Sequence, residues 1–441
     1  MGDLLSSQGG NGAQAAVIFD DAIPADKVNI RSDRAMFQSA IDNTKVGITN
    51  LGSQEGSWNA LAVGVTADYA SIGGGTDNEA TDDNATVSGG AGNSATGYAS
   101  AVAGGYLNQA TNEAAFAMGE ENLASGEGSC AIGVLNQATD FYAFAQGVLS
   151  EATNQNAIAM GQSCEASGDS CVAMGAGTLA SGNASMACCS NNDATGDYAF
   201  ASGNGGTADG HYSRAGGSGC QSSGYYSVAE GASCQTNDDF ANATNFGTTA
   251  GFGGHAEGDT CSTTGEFAHA EGRLSVGGGK RSHAQGVQAV TSRESQDAMA
   301  GGCFVTAGDA QGSSLVLRGS TPGALPGESV NLRYGAAFDQ DFTLANDTTY
   351  TMVVTGTALS AASAIMQSFK QMFSVRVDNL GNATLAGTGT LDQTGDAGAV
   401  SWTLVGAVAV GPLFVLTFNT GVTTEAVRVV ARVDFVEVLF P

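Results

Sequence analysis

Alanine stands at every fourteenth position from Ala103 to Ala243 without a miss. Two residues after it comes glycine, at Gly105, Gly119, Gly133, Gly147, Gly161, Gly175, Gly203, Gly217 and Gly231, interrupted only by Cys189 and Asn245. A further column runs Ala110, Ala124, Ala138, Ala152, Ala166, Ala180, Ala194 and Ala208. Self-similarity at a fixed short period marks a stacked architecture, in which one unit is too small to bury a core alone. A chain built this way forms an elongated object rather than a pocketed enzyme.

One repeat reads x-A-x-A-x-G-x-x-x-x-A-[ST]-G-x, as in Ala157-Ile158-Ala159-Met160-Gly161 followed by Ala166-Ser167-Gly168. Small and larger residues alternate over five positions, which is the pattern of a strand whose side chains point to opposite faces. The Gly, Asn and Asp positions that follow supply turns. Each repeat is therefore expected to form one coil of a parallel β-roll. Roughly seventeen coils between Gly64 and Gly302, spaced about 4.8 Å, give a rod on the order of 80 Å long.

The alanine column must line a very thin interior. Bulkier columns, Phe116, Phe144, Ile158, Val172, Phe200 and Val228 beside Met118, Ile132, Met160 and Met174, face the other way. A long exposed apolar stripe implies a partner surface. Three rolls associating about one axis would bury it, which predicts a homotrimer; the alternative is a monomeric solenoid with an exposed stripe.

The formal charge is -28, with 15 Lys and Arg against 43 Asp and Glu. Nucleic-acid binding needs a basic face, so it is not expected, and neither is attachment to anionic lipid. The acidic balance also favours receptors or bridging cations that are not themselves anionic. Met1 to Gly12 lacks the basic start and apolar core of a secretory signal. The longest apolar stretch, Val405 to Phe418, contains Gly406, Gly411 and Pro412 and is too short to span a bilayer, so no membrane insertion is expected.

The nine cysteines form no CxxC pair, which argues against a zinc motif and for free thiols. Cys164, Cys220, Cys234 and Cys261 each lie three residues after the repeat glycine or its equivalent. Cys220 and Cys234 should stack on adjacent coils, close enough for a disulfide. No nucleophile elbow, Walker loop or HExxH motif is present. Acidic pairs such as Glu120-Glu121 and Asp238-Asp239 read as a solvated face. The expectation is a protein that is not an enzyme and takes no cofactor, although a groove with two catalytic carboxylates would leave little trace in sequence.

Cys171-Val172-Ala173-Met174-Gly175 with Leu179-Ala180-Ser181-Gly182 closely resembles the S-V-A-x-G…S-x-A-x-G head repeat of trimeric autotransporter adhesins. The resemblance covers about Ala60 to Gly302 and implies a left-handed parallel β-roll that trimerises. That family's bacterial members carry a signal peptide, a coiled-coil stalk and an outer-membrane barrel, and the sequence shows no counterpart of them.

Three histidines continue the outward column at the same spacing: His255, His269 and His283, each opening an H-A-[EQ]-G segment. In a trimer each would become a ring of three imidazoles near the axis, with Glu257 and Glu271 two residues on. Such rings could hold a metal ion or an anion. The favoured reading is a structural polar ladder in which each histidine bonds the neighbouring glutamate and fixes register. H-A-E-G repeats resemble those of bacteriophage tail-fibre proteins. Arg214, Glu230 and Asn242 make the column polar elsewhere, and His211 stands apart from it.

Residues 1–58 lack the period and are read as an end cap or a virion-attachment segment. Val28–Arg31 and Lys45–Thr49 are expected as short strands, with a helical turn or two between Asp33 and Ile41. Residues 59–302 form the roll. Residues 303–441 are expected to form a β-sandwich, jelly-roll-like, from some eight strands, with Ser360–Met372 as its one helix. The segment Val427–Val438 resembles the R-W-V-A-R-V-x-x-V-E-V end of phage fibre C-terminal domains, with Val429 in place of the tryptophan.

Together these features predict an all-β homotrimeric viral fibre, most simply a phage tail or head fibre assembled in the host cytoplasm. Residues 1–58 would contact other virion proteins, and the C-terminal tip would bind a host-surface glycan or protein. The alternatives are a bacterial surface adhesin, a glycan-degrading tailspike and a purely structural fibre.

Overall fold

A computed structural model describes residues 53–54, 57–58, 67, 69–303, 307–308, 310–321, 329–334, 342–360, 365–395, 402–408, 413–420 and 426–439. The strands and helical turn expected within 28–49 lie outside these. All regular structure among the described residues is β.

From Ser71 to Gly301 the chain winds as a parallel β-solenoid. From Ala101 onward each coil contributes a longer strand, such as Cys130–Val134, Phe144–Val148 or Ile158–Gln162, and a two-residue strand, such as Gln137–Ala138 or Glu151–Ala152. The longer strands stack in register, so that Ala131 faces Ala117 on one side and Ala145 on the other. The short strands build a separate 16-stranded sheet in which Ala124 pairs with Ala110 and Ala138. Both alanine columns are fully buried, and the interior between them is only a few methyl groups thick. Along the longer strands of the 14-residue coils only alanine takes the inward place, since overpacking a closed interior costs about 1–3 kcal/mol per site, whereas the short-strand column also buries Ser222, Thr236, Thr263 and Thr291.

One column member differs from the sequence expectation. Ala103 is exposed, and Val102 takes the inward position, paired with Ala117. The reason is an extra residue: Ile72, Val87 and Val102 face one another through coils of 15 residues, and a register shift between Val102 and Gly105 absorbs the surplus. These wider coils admit Ile and Val where later coils admit only Ala. The opposite adjustment occurs between Ala243 and its partner Ala256, where the corner Gly251–Gly254 is one residue shorter and Gly254 N–H bonds back to Gly251 O at 2.8 Å.

The repeat glycines are fixed by backbone approach. At Gly161, φ is 135° and an added Cβ would stand 1.9 Å from Gly175 O. Cys189 and Asn245, the two interruptions, take φ of 85° and 83° at the equivalent places. Each coil also turns through left-handed residues that are not glycine, among them Leu135 (φ 57°) and Tyr212 (φ 58°). That conformation costs roughly 1–2 kcal/mol per residue. Neighbouring coils offset part of it by stacking: the rings of Tyr198, Tyr212 and Tyr226 lie 4.8 and 4.7 Å apart, nearly parallel, on the exposed corner.

A buried polar ladder runs beside the alanines. Asn108, Asn122 and Asn136 lie on successive coils, inside the roll. The Asn122 amide donates to Asn108 Oδ1 (2.8 Å), Met118 O (3.0 Å) and Gly133 O (2.7 Å), while its own Oδ1 accepts from the Asn136 backbone N–H (3.1 Å). Cys164 and Cys234 occupy the same rung elsewhere. The Cys164 thiol lies 3.4 Å from Met160 O and 3.3 Å from Gly175 O, the acceptors an asparagine would use. All nine cysteines are free. Burial pushes the Cys220 and Cys261 thiols up, which keeps the proton that a thiol donor needs. Replacing Asn122 by alanine strands Gly133 O and the Asn136 N–H in a dry interior and should cost about 2–4 kcal/mol. A urea midpoint equal to wild type would contradict this, whereas Asn122→Cys should lose less.

The solenoid passes into the C-terminal region without a break in the sheet. Asp297–Gly301, the last long strand, pairs antiparallel with Ala310–Ser320. That strand pairs with Val427–Leu439, followed in order by Thr348–Ser360, Met366–Val377 and Ala383–Gly395. A second antiparallel sheet gathers Ser329–Leu332, Phe342–Thr343 and Thr403–Val408 around Leu413–Asn419. The two share one core that includes Leu317, Tyr350, Met352, Phe373, Trp402, Phe414 and Phe418. The helix expected over Ser360–Met372 is not there, because Met366–Val377 is strand. Gln367, Phe369, Phe373 and Val375 are buried while Met366, Lys370 and Met372 are exposed, and this alternation outweighs the helical propensity of Met, Gln and Lys.

Candidate functional site

Each longer strand turns its alanine inward, so the residues on either side of it face out. Phe116, Phe144, Ile158, Val172 and Phe200 are half-buried in this outward column, and Met118 is exposed. Further along, the same face becomes ionisable. Arg214 Nε meets Glu230 Oε1 at 2.8 Å on the next coil, and its guanidinium lies over the Phe200 ring at 5.8 Å.

The histidines open the strands His255–Asp259, His269–Arg273 and His283–Val287. Register places His255 against His269 and His269 against His283, with Glu257, Glu271 and Gln285 aligned beside them. Ring centroids are 4.8 Å apart for the first pair and 4.6 Å, nearly parallel, for the second. His255 Nε2 lies 3.7 Å from Glu257 Oε2, and His269 Nε2 lies 3.9 Å from Glu271 Oε2. His283 Nε2 lies 3.5 Å from Glu271 Oε1, and its Nδ1 lies 3.5 Å from Asp297 Oδ1. These separations bring charges together but exceed a hydrogen bond. The Nε2 atoms of His269 and His283 are shielded from water with no hydrogen-bond partner. Partial burial, then the neighbouring His283 and His255, hold the His269 imidazole below the usual histidine range, against the pull of Glu271 and Glu257.

A second site escaped the sequence reading. In the C-terminal region Arg318, Arg333 and Arg428 converge with Ser329, Asn331 and Val430 on an open cleft of about 790 Å³. The arginines come from three strand segments, with Arg318 bridged to Arg333 and Ser320 paired with Arg428. The cleft gathers three of the chain's 15 Lys and Arg, two of which, Arg318 and Arg333, also hold further partners. Its volume falls within the range of small-ligand sites. No local motif announces it, because the arginines lie far apart in sequence.

No protein-family model and no curated protein matches the chain. Among solved structures, it is similar to the tailspike protein of Acinetobacter baumannii phage AM24, with 10% identity, a TM-score of 0.18, and coverage of 81% of this chain and 62% of that one. The tailspike of Acinetobacter baumannii bacteriophage Fri1, described as a capsular polysaccharide depolymerase, gives 9% identity and a TM-score of 0.22, covering 86% and 67%. The Acinetobacter phage vB_ApiP_P1 tailspike gives 8% identity and a TM-score of 0.24, covering 83% and 75%. The chain thus spans under two thirds of the AM24 protein. These neighbours correct one expectation, that the chain is not an enzyme: one of them is a depolymerase, and that exclusion is withdrawn. Likeness this distant assigns no residue and no reaction to this chain.

Proposed function

We propose that the chain is a phage tail-fibre or tailspike-like attachment protein, a homotrimer whose solenoid is the shaft and whose C-terminal β-region contacts the host surface. The observation that carries the reading is the cleft lined by Arg318, Arg333 and Arg428 in the C-terminal region, beyond the last coil of the rod. The half-buried Phe, Ile, Val and Met column supports trimerisation, since packing three such faces together removes the stripe from water. Three modest sites on one rigid shaft would act together, so that avidity exceeds the affinity of one. The cleft suits an anionic surface glycan, because the exposed Arg428 guanidinium can pair bidentately with a carboxylate or phosphate beside the Ser329 and Asn331 side chains.

The test is binding of the purified full chain to a panel of acidic and neutral bacterial surface polysaccharides. An acidic polysaccharide should be retained, and Arg428→Glu should lose it. Equal retention by the variant, or preference for neutral polysaccharides, would overturn the assignment of the cleft. Oligosaccharide release in the same assay would make the chain a depolymerase as well as a binder.

A further inference from the structure

We propose that His269, Glu271 and His283 form a binding site for a divalent first-row transition cation, held within a single chain on the outward face of the shaft. One ligand atom from each residue lies within 4.8 Å of the others. A tetrahedral ion with bonds of 2.0–2.1 Å holds its ligand atoms about 3.4 Å apart. Glu271 Oε1 stands 3.5 Å from His283 Nε2 and its Oε2 stands 3.9 Å from His269 Nε2, so side-chain rotations of the three residues would close the site.

Two further observations point the same way. Both Nε2 atoms are shielded yet unpartnered, and such orphaned polar atoms call for a partner that protein groups do not supply. His283 also has a carboxylate behind it: Asp297 Oδ1 is 3.5 Å from Nδ1. At that distance the acid makes no hydrogen bond, but its charge favours the tautomer with the proton on Nδ1, which leaves Nε2 to ligate, and a small approach would bring it into the carboxylate–histidine pairing common behind metal ligands. Two imidazoles and one carboxylate suit zinc, nickel or copper better than calcium or magnesium, whose sites are built of oxygen. Three protein ligands leave a fourth position for water. The ion would tie two adjacent coils together, since His269 and Glu271 lie on one and His283 on the next. His255 lies one coil earlier and approaches Glu257 instead, so it is outside the cluster. This arrangement differs from a ring of three histidines on a trimer axis, because each chain would carry its own ion.

Zinc titration of the metal-free full chain by calorimetry tests this directly. One ion per chain is expected. His283→Ala and Glu271→Gln should weaken binding at least 100-fold, and Asp297→Asn about tenfold. His211→Ala, off the column, should bind as wild type. Cobalt loading provides a readout that needs no variant: four-coordinate cobalt absorbs strongly in the visible. Absence of that band, absence of saturable zinc binding, one ion per three chains, or wild-type affinity in His283→Ala would each overturn the site.

Discussion

Gly161→Ala is expected to break the shaft near its middle. The new methyl would meet Gly175 O at 1.9 Å while φ stays at 135°, and the obstructing atom is backbone, which cannot swing aside. Relief requires parting two coils, so the loss should exceed about 3 kcal/mol. A solenoid is held by nearest-neighbour contacts, so the damage should be local. Limited proteolysis should then cut between residues 160 and 180 and leave two resistant fragments. Gly219→Ala is the comparison: its φ is 61°, nothing lies within 4 Å of the added Cβ, and Leu135 shows that a side chain fits that corner. It should cost only about 1–2 kcal/mol. Equal urea midpoints for the two variants would contradict the packing described above.

The second large effect lies where the shaft meets the C-terminal region. Arg293, 7% exposed, pairs with the buried Glu437 at 2.9 Å, donates to Thr343 O at 2.8 Å, and lies over the Phe342 and Phe435 rings. Gln311 completes the cluster by donating to Glu437 Oε2 at 3.0 Å and to Val290 O at 2.7 Å. Arg293→Ala would leave a carboxylate in a dry junction, a loss of about 3–5 kcal/mol. Pairing it with Glu437→Gln removes the stranded charge and should restore part of the stability. Thermal unfolding checks both variants, and a double variant no more stable than Arg293→Ala would show that the ion pair is not what holds the junction.

Much of the shaft was legible because one physical demand repeats: a thin closed interior admits alanine, and a close coil-to-coil approach admits glycine. Where the coil length changes, the pattern misleads. Gly104 adds a residue, and the string Val102-Ala103-Gly104-Gly105 then offers an alanine at the expected count but on the wrong face. The asparagine rungs at 108, 122 and 136 and the stacked tyrosines at 198, 212 and 226 also follow the period. Alanine, glycine and the outward bulky column do not reveal them, since they occupy the corners. The histidine column was visible in sequence, but the approach of Glu271 to His283 across coils depends on side-chain placement. The arginine cleft was not visible at all, because strand pairing, not spacing, brings residues 318, 333 and 428 together.

The account rests most heavily on the outward column being an interface between three copies of the chain. Sedimentation equilibrium of the purified full chain measures this without assumptions about shape. The predicted mass is three times the 43.9 kDa chain, held across a tenfold range of concentration about the micromolar. A species of 43.9 kDa over that range would leave the Phe, Ile and Met stripe facing water and would contradict the trimeric fibre.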